Sequence, residues 1–127
     1  MIVVDASAAL AALLNAGPAR RTLSSDQLHV PHLIDSEIAN GLRGVVAAKK
    51  VTTDAGGRAL DAWRHMGVVR YPIVGILVRV WELRQNMTAY DASYVALAEL
   101  LQCALVTADR RLSRAPGSRC PITVVPR

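Results

Sequence analysis

Phenylalanine is absent from the 127 residues, and tryptophan and tyrosine occupy only two and three positions. Stacking on aromatic platforms is therefore not an obvious source of sequence-selective nucleic-acid recognition. Cysteine is as scarce. Cys103 and Cys120 stand outside any C-x-x-C or Cys/His spacing, which argues against zinc and fits a reducing, cytoplasmic compartment. No apolar run reaches the roughly 20 residues that cross a bilayer, because Asp5 and Asn15 interrupt the richest stretch, Ile2 to Leu14. Asp5 would also fall inside the apolar part of an export signal, and no basic residue precedes that stretch. The expectation is a soluble protein, neither exported nor held at a membrane. A phosphate-binding P-loop is missing altogether.

What is present suffices for one domain. Hydrophobic residues make up 52% of the chain, and a chain of this length buries roughly two-thirds of its unfolded surface without disulfides. Fifteen Lys and Arg oppose ten Asp and Glu, a net charge of +5, so the surface favours polyanions. Short β-branched runs at Ile2 to Val4, Leu28 to Val30, Val68 to Tyr71, Ala104 to Thr107 and Ile122 to Val125 read as strands. Between them lie helical compositions: Ala8 to Leu14, Pro18 to Leu23, Leu33 to about Lys50, Thr52 or Thr53 to about Gly67, Ile73 to Arg84, and a helix through Leu101 opened by the capping spacing Thr88-Ala89-Tyr90-Asp91. Regular alternation of strand and helix predicts parallel strands joined by right-handed crossovers, hence a three-layer α/β/α sandwich with a central sheet.

Four acids fall at comparable places in that plan. Asp5 ends the first strand, Asp109 lies two residues past the fourth, Asp91 is in the first turn of its helix, and Glu37 is early in the long helix. Ligands of open α/β sheets bind at the carboxyl ends of strands where the strand order reverses. Each acid alone has an ordinary explanation as a helix cap. Together on one edge they would repel and raise one another's pKa unless a hard divalent cation with oxygen ligands, Mg²⁺ or Mn²⁺, sat among them.

The segments IVVDASA (Ile2 to Ala8), PHLIDSEIANGLR (Pro31 to Arg43), TAYDASYVALAE (Thr88 to Glu99) and LVTADRRL (Leu105 to Leu112) resemble the PIN-domain family, specifically its VapC-type toxin ribonucleases. The resemblance implies a magnesium-dependent endoribonuclease with a catalytic site of Asp5, Glu37, Asp91 and Asp109, in which Asp5, Asp91 and Asp109 hold the metal, Asp5 and Asp91 most securely. It further implies a sheet ordered 3-2-1-4-5, a homodimer, and a cognate antitoxin whose peptide fills the groove. The region Thr53 to Met66 is less distinctive.

Such a site hydrolyses RNA with metal-activated water and leaves a 5′-phosphate and a 3′-hydroxyl, with no histidine required. His32 is read as a surface residue, and His29 and His65 carry no motif. Ser7 and Thr107, two residues from Asp5 and Asp109, are candidates to orient carboxylates. Asn40, one helical turn after Glu37, is a candidate for contact with water or substrate. Arg84, Arg110, Arg111 and Arg114 are nearest in sequence to the acid motifs and are candidate RNA-phosphate contacts. Setting the four acids aside leaves 15 positive against 6 negative charges, a basic surround for an acidic pit. Trp63 and Trp81, with apolar helical neighbours, are read as core or dimer-face residues. A phospho-accepting receiver module fits less well, since it uses paired acids after its first strand and a lysine after a late one, whereas Lys49 and Lys50 fall in a helix. A dehalogenase-type phosphatase would have a second Asp where Ser7 stands. A PIN-like module that binds RNA without cutting it is the remaining alternative.

Overall fold

Three to four residues suffice for each strand because the sheet is covered on both sides: Ile2–Val4 (β1) and Leu28–Pro31 (β2) are buried throughout, as continuous β-branched and apolar runs dictate. With Val68–Tyr71 (β3), Ala104–Thr107 (β4) and Ile122–Val124 (β5) they form one five-stranded sheet ordered β3-β2-β1-β4-β5, every pair parallel. The computed structural model describes all 127 residues.

Seven helices connect the strands: α1 (Ala6–Leu14), α2 (Pro18–Ser24), α3 (Ile34–Ala47), α4 (Thr53–His65), α5 (Leu77–Glu82), α6 (Ala89–Leu101) and α7 (Arg110–Arg114). The chain moves outward from β1 to β3, then returns to β4 beside β1. Right-handed crossovers therefore place α1 to α4 on one face and α5 and α6 on the other, and contacts follow that division: α1 with α2 and α3, α3 with α4, α5 with α6, and α6 along β1, β2 and β4. Thr52 caps α4 and Thr88 caps α6, each hydroxyl accepting the N–H three residues on. Gly41 lets α3 lie close to α1, since a Cβ there would collide with the Leu10 side chain.

The expected helix from Ile73 to Arg84 is broken. A 3₁₀ turn at Val74–Ile76 precedes α5, which ends by Leu83, whose N–H is shared between the carbonyls of Arg79 and Val80. Pro72, Gly75 and the absence of a capping side chain at Ile73 deny the segment a firm helical start. The helix α3 stops three residues short of Lys50 because Lys49 adopts the left-handed conformation, φ 60°. The short α7 is an element that no periodicity announced.

One core holds both layers. Trp63 is 2% exposed, a burial that contributes about 4–6 kcal/mol by area. Its indole N–H donates to Asp35 at 2.7 Å, and Asp35 also takes a two-pronged grip from Arg70 at 2.8 and 2.9 Å. That cluster ties the first turn of α3 to β3 and α4, and so fixes the place of Glu37 two residues later. His29 is also buried, its Nδ1 2.7 Å from the Tyr71 hydroxyl. Trp81 lies the other way, 67% exposed on α5.

Candidate active site

The strand order reverses between β1 and β4, and the backbone N–H of Asp5 donates to Val106 across that seam at 3.1 Å. Asp5 is the first residue past β1 and Asp109 the second past β4, so the register alone sets both on the same edge. Asp5 is 4% exposed. Its Oδ1 accepts from the Ser7 hydroxyl at 2.7 Å and from the Ala8 N–H at 3.0 Å, and its Oδ2 accepts from the Thr107 hydroxyl. The cap and the site carboxylate are thus the same group. Ser7 in turn accepts the Ala108 N–H at 2.9 Å, and Thr107 the Asp109 N–H at 3.0 Å. Two hydroxyls lace the end of β4 to the end of β1.

Asp109 caps α7 by accepting the Arg111 N–H at 2.9 Å, and the Arg111 guanidinium folds back on it at 3.2 and 3.1 Å. Asp91 sits in the first turn of α6 behind the Thr88 cap. Glu37, in the first turn of α3, accepts a hydrogen bond from the hydroxyl of Tyr94, a residue 1% exposed.

The charges of these acids act on one another. Burial holds the Asp5 carboxyl above its usual range, and Asp109 adds to that. Burial also raises Glu37, with further contributions from Asp91 and Asp5. It raises Asp91, with Asp5 and Asp109 next in size. Asp109 runs the other way, because Arg111 bonds to it and lowers its pKa. Burial and the bond to Glu37 push the Tyr94 hydroxyl far up, so it remains a donor. All four acids form one electrostatic cluster, with oxygen donors only.

As they stand, no three of these side chains converge as a ready-made coordination set. Three of the carboxylates are turned onto protein donors: Asp5 onto hydroxyls, Glu37 onto tyrosine, Asp109 onto arginine. Hard carboxylate oxygens suffering net repulsion fit a hard divalent cation.

Among the other residues singled out in the sequence, Ser7 and Thr107 touch Asp5 directly. Asn40 is exposed and makes no hydrogen bond to any of the four acids. Arg84 folds back on the end of α5: it donates to the Trp81 carbonyl at 2.9 Å and lies over that ring, 4.6 Å from the centroid. Arg110 and Arg114 are exposed beside the C-terminal segment. Tyr94 escaped the sequence reading. Its spacing of three from Asp91, one turn on the same helix, was the available signal.

Residues 2–118 match the PIN-domain family. Over its whole length the chain is 62% identical to a VapC ribonuclease of Mycobacterium bovis and to ribonuclease VapC9 of Mycobacterium tuberculosis, each also covered in full. It is 40% identical to ribonuclease VapC1 of Mycobacterium tuberculosis, over 97% of this chain and 96% of that one. Among solved structures, a Pyrobaculum aerophilum protein superposes with a TM-score of 0.70 at 28% identity, covering 95% of this chain and 81% of that one. VapBC2 of Rickettsia felis, solved with a DNA fragment from its promoter, gives 0.70 at 14% identity with 98% and 99% covered, a likeness of fold. With a PIN match spanning nearly every residue and curated relatives this similar, the chain belongs to the VapC-type branch of the PIN-domain family.

Proposed function

We propose that this chain is a divalent-cation-dependent endoribonuclease, the toxin of a toxin–antitoxin pair, with Asp5, Glu37, Asp91 and Asp109 as its catalytic acids. The observation that carries the reading is the placement of Asp5 and Asp109 just past β1 and β4, where the strand order reverses, with the charges of Asp91 and Glu37 felt at the same edge. The naming of its curated relatives as ribonucleases supports it.

In this reading Asp5, Asp91 and Asp109 hold the ion, Mg²⁺ or in its place Mn²⁺. The bound ion would neutralise charge on the attacked phosphate and the leaving oxygen and activate the attacking water. The protein does the rest by placement. Ser7, Thr107 and the Ala8 N–H fix the Asp5 carboxylate in one orientation. Glu37, steadied by Tyr94 at Oε1, keeps Oε2 to orient water and take its proton. Arg111, released from Asp109, is a cation within reach of a substrate phosphate. Hydrolysis by water leaves a 5′-phosphate and a 3′-hydroxyl.

A cognate antitoxin that fills the acid groove follows from the family resemblance. A homodimer is proposed on the α5 face. Val78 and Trp81, three residues apart on α5 and 80% and 67% exposed, make an apolar stripe that a second copy of the same short helix matches in character, and Val74, 74% exposed, lies in the 3₁₀ turn just before it. Trp81 already has its own Arg84 over one side of the ring.

The test is incubation of the purified chain with RNA and Mg²⁺, with EDTA, and with Asp5→Asn in place of the parent. Cleavage with Mg²⁺ alone is expected. Cleavage that survives both EDTA and Asp5→Asn refutes the proposal; an RNA complex without any cleavage favours the non-cutting RNA-binding module instead.

A further inference from the structure

Beyond the acid cluster, α7 and the segment following β5 enclose a cleft of about 290 Å³ lined by Arg110, Ser113, Arg114, Val124, Val125 and Pro126. Its size is near the lower bound of small-molecule sites, roughly 300–1,000 Å³. Arg110 and Arg114 are one helical turn apart on the same face of α7, both exposed. Neither guanidinium is spent on a hydrogen bond or an ion pair within the protein, unlike Arg70, Arg79 and Arg111, which all grip carboxylates. The Ser113 hydroxyl is turned to the Arg110 carbonyl at 2.7 Å, so the free donors of the cleft are the two guanidinium groups. No acid lines it. Opposite them lies an apolar wall, of which Val125 is buried.

We propose that this cleft is a phosphate subsite for single-stranded RNA, gripping a backbone phosphate that flanks the scissile one. Two planar, permanently charged forks over an apolar wall suit a phosphodiester whose sugar lies against valine and proline. Its location supports that use. Asp109 is the N-cap of α7, so the cleft begins one residue from the acid cluster. The inference rests on the ribonuclease reading and adds to it where the uncut part of the strand lies. Phosphate contacts made here read no base, so the subsite contributes affinity and register but no sequence preference.

The experiment measures binding apart from chemistry. Fluorescence anisotropy with a labelled single-stranded RNA in EDTA compares the parent chain with Arg110→Ala/Arg114→Ala and with a charge-matched control, Arg21→Ala/Arg58→Ala. All four residues are exposed, and circular dichroism checks that each variant is folded. Loss of two charged contacts to one phosphate is expected to weaken binding at least about tenfold, and to reduce the slope of log K against log salt by about 0.7, the share of one phosphate on a single strand. The control should move neither by as much. In Mg²⁺ the cleft variant should show a raised KM with kcat within about threefold. Equal weakening by the control, or an unchanged salt slope in the cleft variant, overturns the subsite. A parent chain that binds RNA with this slope but never cleaves it leaves the subsite standing and removes the nuclease reading.

Discussion

Thr107 is where removing one oxygen tests the construction of the site. It is fully buried in β4, its hydroxyl donates to Asp5, and it accepts the N–H of Asp109. Thr107→Val keeps the shape and deletes the hydroxyl. Asp5 then loses one of three donors while remaining 4% exposed, where water is poorly able to replace it. A hydrogen bond to a charged group is worth about 1.5–3 kcal/mol, so a loss of about 2–3 kcal/mol is expected. In a domain of this size that is a fall in Tm of roughly 6–15 °C. The Thr107 bond pulls the Asp5 pKa down against burial. Without it the folded carboxyl holds its proton more tightly still, so acidification favours the variant relative to the parent. The deficit should therefore be largest near pH 7–8 and shrink once Asp5 is protonated in both proteins. Urea denaturation of the metal-free proteins across pH 4–8 measures this, with Thr107→Ser, which keeps the donor, as the comparison. A deficit that is independent of pH, or as large in Thr107→Ser as in Thr107→Val, refutes the reasoning.

Three further outcomes follow from the same contacts. Tyr94→Phe should cost about 1 kcal/mol in urea, allowing for the solvent that reaches half-exposed Glu37, and should depress cleavage at neutral pH much more than it depresses RNA binding; equal losses in both count against a role for Tyr94 in holding Glu37. Asp5, Glu37 and Asp91 hold protons more tightly folded than unfolded, so their contribution to metal-free stability falls as pH rises from the ordinary carboxylate range through their raised values, while that of Asp109 is lost as pH falls. Mg²⁺ at saturation should then add roughly 1–3 kcal/mol near pH 7.5 and less near pH 5, and calorimetry that finds no rise in Tm with Mg²⁺ at either pH contradicts the repulsion argument. Val78→Asp on the α5 stripe should convert a dimer to a monomer in light scattering without lowering Tm at high dilution; an unchanged mass removes that face as the interface.

The strands and their parallel pairing were readable because short β-branched runs alternate with helical compositions, whereas their order came with the family resemblance. Asp5 and Asp109 were readable as neighbours on one sheet edge because chain position fixes the strand end, and the pairing of β1 with β4 sets both ends side by side. Thr88 announced the start of α6 through its spacing to Asp91. Where local signals were weak the sequence told less. The 3₁₀ entry to α5 depends on Pro72 and Gly75 defeating a good apolar period, and α7 is too short at five residues to show a period at all. Side-chain posture was the least legible. Arg84 is close in sequence to the acid of α6, yet Trp81 and a helix-end carbonyl claim it. Tyr94 reads as one more apolar-helix residue until α3 and α6 are laid side by side and its hydroxyl meets Glu37.

The most direct test of the whole account is end-group analysis of RNA cut under a Mg²⁺ titration, run with the parent chain and with Asp91→Asn. A cleavage rate that rises and saturates with Mg²⁺ in the parent, products bearing a 5′-phosphate and a 3′-hydroxyl, and a rate at least about 100-fold lower in Asp91→Asn are expected of carboxylates that work with a cation. Cyclic-phosphate ends, or a rate indifferent to both Mg²⁺ and the loss of Asp91, would contradict it.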